Sequence, residues 1–420
     1  MTLASCLTRW WSVIVPVTGN GTVRTLHFGQ IGVNRVRGSL TTPGSSRTSR
    51  RNRNTLAPSR RTTIRDVAAE AGVSAQTVSR VLNGRPDVAA ETVERVREVI
   101  RQTGYQPNML ARSLTQGRSR VLGVVAYGQD YFGPAHVLTA IERRAAKAGY
   151  AIMLNLKLEP DSGDVDHLLS SLSARQVDGI IWAIPDVDDN RACLGNRLRD
   201  VSVPMILVGG MAGRPFLPCI GVDNSAIGRL ATEHLLAGGT RHIGLITGPR
   251  GWWEAREREL GWRRTLEADG RIPDERLVME GDWTVASGAD ALYRMMEVCP
   301  NLDAVFASND QMALGVMYAA HRLGRRIPED LAVVGVDDLA EASHFWPALT
   351  TVRQPLDDAG ELAVADVLEL IGVSRQGRHV SPEVEPQMAL LEPTLIVRQS
   401  SRSPIEPAGI QKVPSATATR

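Results

Sequence analysis

From Val121 to about residue 398 the chain repeats one grammar: a short apolar run, an amphipathic stretch, then another apolar run. Val121–Ala126, Gly179–Ala183, Pro204–Val208, His242–Thr247, Ala304–Ala307 and Leu331–Val336 read as strands buried on both faces. His136–Ala148, Ala226–Ala237, Gln311–Leu323 and Ala359–Leu370 read as helices between them. Two parallel strands cannot be joined by a tight turn, and the helix that joins them packs on a sheet face. The alternation therefore calls for parallel sheets covered on both sides. Roughly 280 residues of it suggest two α/β lobes, with ligand crevices at the carboxyl ends of the strands.

Upstream the texture differs. Thr63 can cap a helix that begins at Ile64, with Asp66 three residues on, and Gly72-Val73 ends it. Ser74 can cap a second helix, Ala75–Leu82, which stops at Asn83-Gly84. Two short helices joined by a glycine-containing turn form a helix-turn-helix pattern. A third helix over Ala90–Thr103 puts Val93, Val96, Val99 and Ile100 on one face and stops at Gly104. The three share a small expected core of Ile64, Val67, Ala71, Val78, Val81, Val93, Val96 and Ile100. Asn108–Leu114 is a single short helical segment, and Thr115–Arg120 is a polar linker.

The net charge of +2 is unevenly placed. Residues 1–61 hold ten Arg and no Asp, Glu or Lys, so removing that +10 leaves −8 on the rest. A basic arm ahead of an acidic body suits a nucleic-acid partner or a targeting segment. The parsing expected is a disordered basic extension at 1–61, a helix-turn-helix headpiece at 62–107 and a hinge helix with linker at 108–120. A two-lobe core occupies 121–398, then a disordered tail 399–420. No apolar run approaches the roughly 18 residues needed to span a bilayer, so no membrane role is expected. Cys6, Cys193, Cys219 and Cys299 have no metal-ligand spacing and no disulfide-framework pattern, which fits a reduced compartment. The phosphate-loop, nucleophile-elbow, zinc-helix and dinucleotide motifs are missing, so no catalytic residue, metal or cofactor is expected.

Residues 62–120, with IRDVAAEAGVSAQTVSRVLNG and then TGYQPNMLARSL, closely resemble the headpiece and hinge of lactose-repressor (LacI/GalR) family regulators. The likeness continues through HLLAGGTRHIGLITG, GDW, SNDQMALG, VVGVDD and LTTVRQP. It implies a headpiece followed by a periplasmic-binding-protein-like core.

In the second helix, Ala75, Gln76 and Arg80 match the family's base-reading positions. Gln76 can pair with adenine, Arg80 with guanine, and the Ala75 methyl can meet thymine in the major groove. Thr77, Ser79, Asn83, Ser74 and Arg65 match phosphate-holding positions. Ala89 stands where some relatives carry a hydroxyl. In the hinge, Asn108 is a further expected DNA contact, Ala111 lets two hinge helices approach, and Leu114 matches the residue that wedges into the minor groove.

The resemblance implies effector contacts at Tyr131, Pro134, Asp223, Arg258, Trp283, Asn309, Asp337 and Gln354. Carboxylates, amides and a guanidinium suit hydroxyl recognition, and an indole stacks on sugar C–H groups. Asp310 and Asp338 read better as helix caps, and Trp252, Trp253 and Trp346 as rim or packing residues. The resemblance and the residues together imply a bacterial, cytoplasmic, homodimeric repressor of double-stranded operator DNA, controlled by a small sugar or related metabolite. The alternative is a two-lobe sugar-binding protein of a transport system, for which residues 62–114 have no use.

Arg80→Ala is expected to weaken operator binding by about 1–3 kcal/mol and relax preference at one base pair per half-site. Selection from a randomised duplex library measures this; uniform weakening across all sequences would instead make Arg80 a phosphate contact.

Overall fold

The structure is a computed structural model that describes residues 62–106, 118–157, 165–188, 190, 195, 197–198, 201–210, 216–375 and 388–402. Three helices open it: α1 (Ile64–Glu70), α2 (Ala75–Leu82) and α3 (Ala90–Thr103). Thr63 and Asp66 form a reciprocal capping box, and Ser74 Oγ accepts from the Thr77 amide at 3.0 Å. Ala89 caps α3 with no side-chain bond. Gly72 and Gly104 adopt φ of 63° and 60°, conformations that L side chains rarely adopt, where α1 and α3 must turn away. The buried core is Val67, Ala68, Ala71, Val78, Val81, Val96, Val99 and Tyr105. Ile64, Val93 and Ile100, expected inside, are half-buried around it, and Tyr105, not expected, joins the centre.

The remaining elements build two sheets. The first lobe contains β1 (Val121–Ala126), α4 (Phe132–Lys147), β2 (Ala151–Leu156), α5 (Val165–Ala174), β3 (Gly179–Ala183), β4 (Met205–Val208) and β5 (Cys219–Val222). The second contains α6 (Asn224–Ala237), β6 (Ile243–Thr247), α7 (Trp253–Ala268), β7 (Val278–Glu280), α8 (Val285–Val298), β8 (Ala304–Ala307), α9 (Asp310–Arg322), β9 (Ala332–Val336) and β10 (Thr350–Arg353). The chain then returns through α10 (Leu356–Arg375), β11 (Met388–Leu391) and β12 (Thr394–Ile396).

The sheet orders are β11-β5-β4-β3-β1-β2 and β12-β10-β9-β8-β6-β7, the same winding twice. Every pairing is parallel except β10 with β12. The polypeptide therefore crosses between lobes at 222–224, 353–356 and 391–394. The amide of Asp223 donates to Leu391 O at 3.0 Å, tying the first crossing to the third.

Strand residues alternate between faces as the pleat requires. Leu122 and Val124 join one apolar cluster, which runs on to Trp262 and Phe306 in the second lobe; Val125 joins another with Leu172 and Trp182. Helix α4 begins four residues before its expected start, because Pro134 occupies its first turn, where a backbone N–H has no intrahelical partner to lose. The core also outruns its expected end at 398. Ser400 Oγ accepts from the Thr350 amide (2.8 Å) and donates to Val333 O (2.7 Å), and Ser401 Oγ bonds buried His234 Nε2 at 2.7 Å.

Helices α8 and α9 touch through glycine. A Cβ on Gly288 would lie 2.1 Å from Met312 O, and one on Gly315 2.0 Å from Val285 O. Gly288→Ala is therefore expected to cost about 1–3 kcal/mol of overpacking, outweighing the ~1 kcal/mol that alanine adds to a helix. Gly372, in α10, has nothing within 4 Å of such a Cβ, so Gly372→Ala should stabilise by about 0.5–1 kcal/mol. Urea denaturation of both variants checks the pair.

Candidate functional site

On the headpiece, Gln76 and Arg80 are one turn apart on the exposed face of α2. Arg80 makes a half-exposed ion pair with Asp87 at 3.5 Å, weak enough to exchange for a base edge. Ala75 is half-buried and packs on the headpiece core, so only part of its surface faces outward. Ser74 and Thr77 hydroxyls bond at 2.9 Å at the head of α2, and Asn83 Nδ2 donates to Ser79 O at 2.8 Å. Arg65 is exposed on α1. Asn108, Ala111 and Leu114 lie outside the described residues.

Between the lobes lies a cleft of about 420 Å³, within the size range of small-molecule sites. Tyr131 and Pro134 line it from the first lobe, and Arg258, Trp283, Asn309 and Asp337 from the second, with Gln354 on the second crossing. Asp223 does not line it. Its carboxylate turns back to cap α6, accepting from the Ala226 amide at 2.8 Å, and the next residue, Asn224, faces the cleft instead. An Asp immediately before a helix is a cap by default, and that signal was present in the sequence.

Arg258 is the centre of the wall. It is 5% exposed; Nε donates to Asn224 Oδ1 at 2.8 Å, Nη1 donates to Ser308 O, and the guanidinium stands 5.8 Å over the Trp283 ring. Burial lowers its pKa, and the charge of Asp337 opposes that shift. Burial pushes the Asp337 carboxyl up to about 6, resisted by Arg258 and by Gln354, whose Nε2 donates to Oδ1 at 2.6 Å. Asp337 and Trp283 adopt φ of 115° and 71°, strained for side-chain-bearing residues. Asn309 holds the second of these by donating from Nδ2 to Trp283 O at 3.0 Å while its Oδ1 caps α9. Gly248 makes room for the indole, since a Cβ there would lie 2.0 Å from the ring.

Trp283 Nε1 and Gln311 Oε1 are buried in the cleft wall with no hydrogen-bond partner among the described residues. Buried polar atoms rarely stay unpaired, so these offer one donor and one acceptor to a hydroxylated ligand. Sequence reasoning missed Gln311, Asn224 and Glu254, and placed Trp252 on the rim, although all four line the cleft. Trp253 does pack, against Gly210 of the first lobe, whereas Trp346 is 97% exposed and packs on nothing.

Asp338 is structural, paired with Arg353 and with Arg398. Asp310 is wholly buried, accepting from Thr351 Oγ1 (2.6 Å) and the Leu339 amide (2.9 Å). Among the described residues no group of His, Cys, Asp and Glu could hold a metal, and no helix is long and apolar enough to cross a membrane.

Comparison with known proteins places this arrangement. The profile of bacterial regulatory proteins of the lacI family matches residues 63–108, and that of the periplasmic binding protein-like domain matches 232–401. The HTH-type transcriptional regulator CelR of Thermobifida fusca is 34% identical over 353 residues, covering 81% of this chain and 98% of that protein. The HTH-type transcriptional repressor PurR of Pectobacterium atrosepticum is 35% identical, covering 80% and 96%. Among solved structures, a lac repressor dimer bound to operator and the anti-inducer ONPF aligns with a TM-score of 0.70 at 31% identity, over 81% of this chain and 99% of that one. A CelR–cellobiose complex aligns with a TM-score of 0.59 at 32% identity, over 81% and 100%.

Burial and Asp337 raise the Asp310 pKa to about 8. The folded protein then keeps a proton that the unfolded chain releases at ordinary carboxylate pH, so stability falls as pH rises from about 4 to 8. Asp310→Asn, which mimics the protonated acid, is expected to gain stability over the parent at pH 8 and little at pH 5. Melting curves at the two pH values decide it; an equal shift at both would mean Asp310 is ionised in the fold.

Proposed function

Because this chain belongs to the lacI family of bacterial regulatory proteins, we propose that it is a DNA-binding transcriptional repressor whose operator affinity is set by a sugar or related metabolite held in the interlobe cleft. It acts as a homodimer on a pseudo-palindromic duplex, since twofold protein symmetry is mirrored in half-sites. One observation carries the reading: a single chain joins an exposed helix bearing Gln76 and Arg80 to a cleft walled by Arg258, Asp337 and Trp283. A transport protein would use the second and has no use for the first.

The cleft groups serve binding and not turnover. Arg258 and Asp337 present a donor and an acceptor to hydroxyls, the Trp283 face covers sugar C–H groups, and Asn224 and Gln354 carry the contact to the crossings. A ligand alters DNA affinity only through different affinities for two lobe arrangements. The segment through Asn108, Ala111 and Leu114 is the route we assign to that coupling, with Leu114 as the minor-groove wedge. The protein works in the bacterial cytoplasm, at the nucleoid when bound to its operator.

A gel shift on an operator selected from random duplexes, with a sugar panel that begins with cellobiose, tests the proposal. At least one sugar is expected to change operator affinity tenfold or more. Arg258→Ala should abolish that response and keep sugar-free operator binding, since each charge-assisted bond lost costs on the order of 1.5–3 kcal/mol. A response at unchanged sugar concentration in that variant would remove Arg258 from the effector site.

A further inference from the structure

The lobes meet at a second place besides their crossings. The turn from Pro249 to Trp253, which comes after β6 in the second lobe, docks on the segment after β3 in the first. The Asp188 amide donates to Gly251 O at 2.8 Å, the Trp253 amide donates to Asp186 O at 2.9 Å, and Val187 and Trp252 form an antiparallel bridge. The Trp253 ring lies where a side chain on Gly210 would stand, with Cζ3 1.8 Å from that glycine's virtual Cβ. A Cβ on Gly251 would meet Asp188 Oδ1 at 2.6 Å, which shows how near the Asp188 side chain stands to the turn. On its own lobe the turn is braced by Arg256 Nη1, which donates to Gly251 O at 2.8 Å, and by the Arg250 amide on Glu280 Oε1 at 2.9 Å.

Topology gives this contact its meaning. The crossings leave from β5 and β11 in one sheet and β10 and β12 in the other, at one side of the cleft. The docked turn comes from β6, three strands in from β10, and meets the chain beyond β3 and β4, two strands and one strand in from β5. The lobes are thus joined on two sides of the cleft, and rotation about the crossings must break the turn's bonds. Trp252 belongs to both features. It lines the cleft, and its ring meets Tyr131 of the other lobe edge-on at 5.1 Å, Tyr127 at 6.3 Å, and Trp283 at 5.9 Å.

We propose that the Pro249–Trp253 turn is an interlobe clasp gating the cleft, and that Trp252 is a further effector-contacting residue, braced by the clasp. The role of Trp252 rests on reading the cleft as the effector site; the clasp itself rests on the interlobe bonds. A ligand seated against Trp252 supports the closed clasp, and opening the clasp removes that wall of the site.

The test uses the full chain. In Pro134→Cys, a cleft-wall position, modification by methyl methanethiosulfonate is followed at residue 134 by peptide mass spectrometry. Adding Trp253→Ala, which undoes the packing on Gly210, is expected to speed modification at least tenfold; an unchanged rate overturns the gate. A second variant, Asp188→Cys with Gly251→Cys, serves even if Trp253→Ala does not fold. The virtual Cβ on Gly251 lies 3.2 Å from Asp188 Cγ, close enough for a disulfide. Oxidised, it should slow amide exchange at Trp253 and across 128–133 at least tenfold relative to the same protein reduced; equal exchange overturns the clasp. A protein that clasps in this way while its operator binding ignores every sugar keeps the clasp and sinks the effector reading, and with it the role of Trp252.

Discussion

A buried guanidinium organises this molecule. Arg258 reaches from α7 to Asn224, just past the first crossing, and to Ser308 O at the end of β8, and it faces Asp337 at the end of β9. Removing such a charge from water costs several kcal/mol unless every donor finds an oxygen and a counter-charge is near. Here Asn224 Oδ1 and Ser308 O take two of its N–H groups and Asp337 supplies the counter-charge, which ties two strand ends to a crossing. The strained backbones of Asp337 and Trp283 persist because this network over-determines them. The groups that hold the wall together are also those that meet a ligand.

Two lobes of identical winding give a natural axis of motion. The three crossings are short, and the first is bonded to the third through Asp223 and Leu391. Their neighbours Asn224 and Gln354 both line the cleft. A ligand that prefers one lobe angle therefore acts directly on the segments that set that angle, and it shifts the population only by its differential affinity. Glycine at the α6–α7 and α8–α9 contacts packs the helices of the second lobe tightly, because a Cβ on Gly228 or Gly261 would strike a backbone carbonyl at 2.1 Å.

Much of the fold is legible in the sequence. β1, β3 and β8 are readable to the residue, because a strand buried on both faces leaves an unbroken apolar run. β2 is not. It is an edge strand with polar Asn155 and half-exposed leucines, so its pattern is weak. The same limit applies to β11 and β12, whose role is to complete sheets begun far upstream. Pro134 hides the start of α4, and Ser400 and Ser401 read as tail although both are buried against β9 and β10.

The candidate site divides along the same line. Local chemistry determined the headpiece: caps, a glycine turn and helical period place Gln76 and Arg80 outward without reference to anything distant. It also put Arg258, Trp283, Asn309 and Asp337 at strand ends or helix starts, where open parallel sheets form crevices. Only the tertiary structure decided which side chains face the cleft. Asp223 had a nearer partner in its own helix, so Asn224 took its place, and Trp252 became a cleft wall because its turn met the other lobe. The physical reason is reach. Periodicity and capping report interactions within a few residues, whereas a cleft between lobes is defined by contacts such as Arg258 with Ser308 or Asp188 with Gly251, whose partners lie 50 and 63 positions apart.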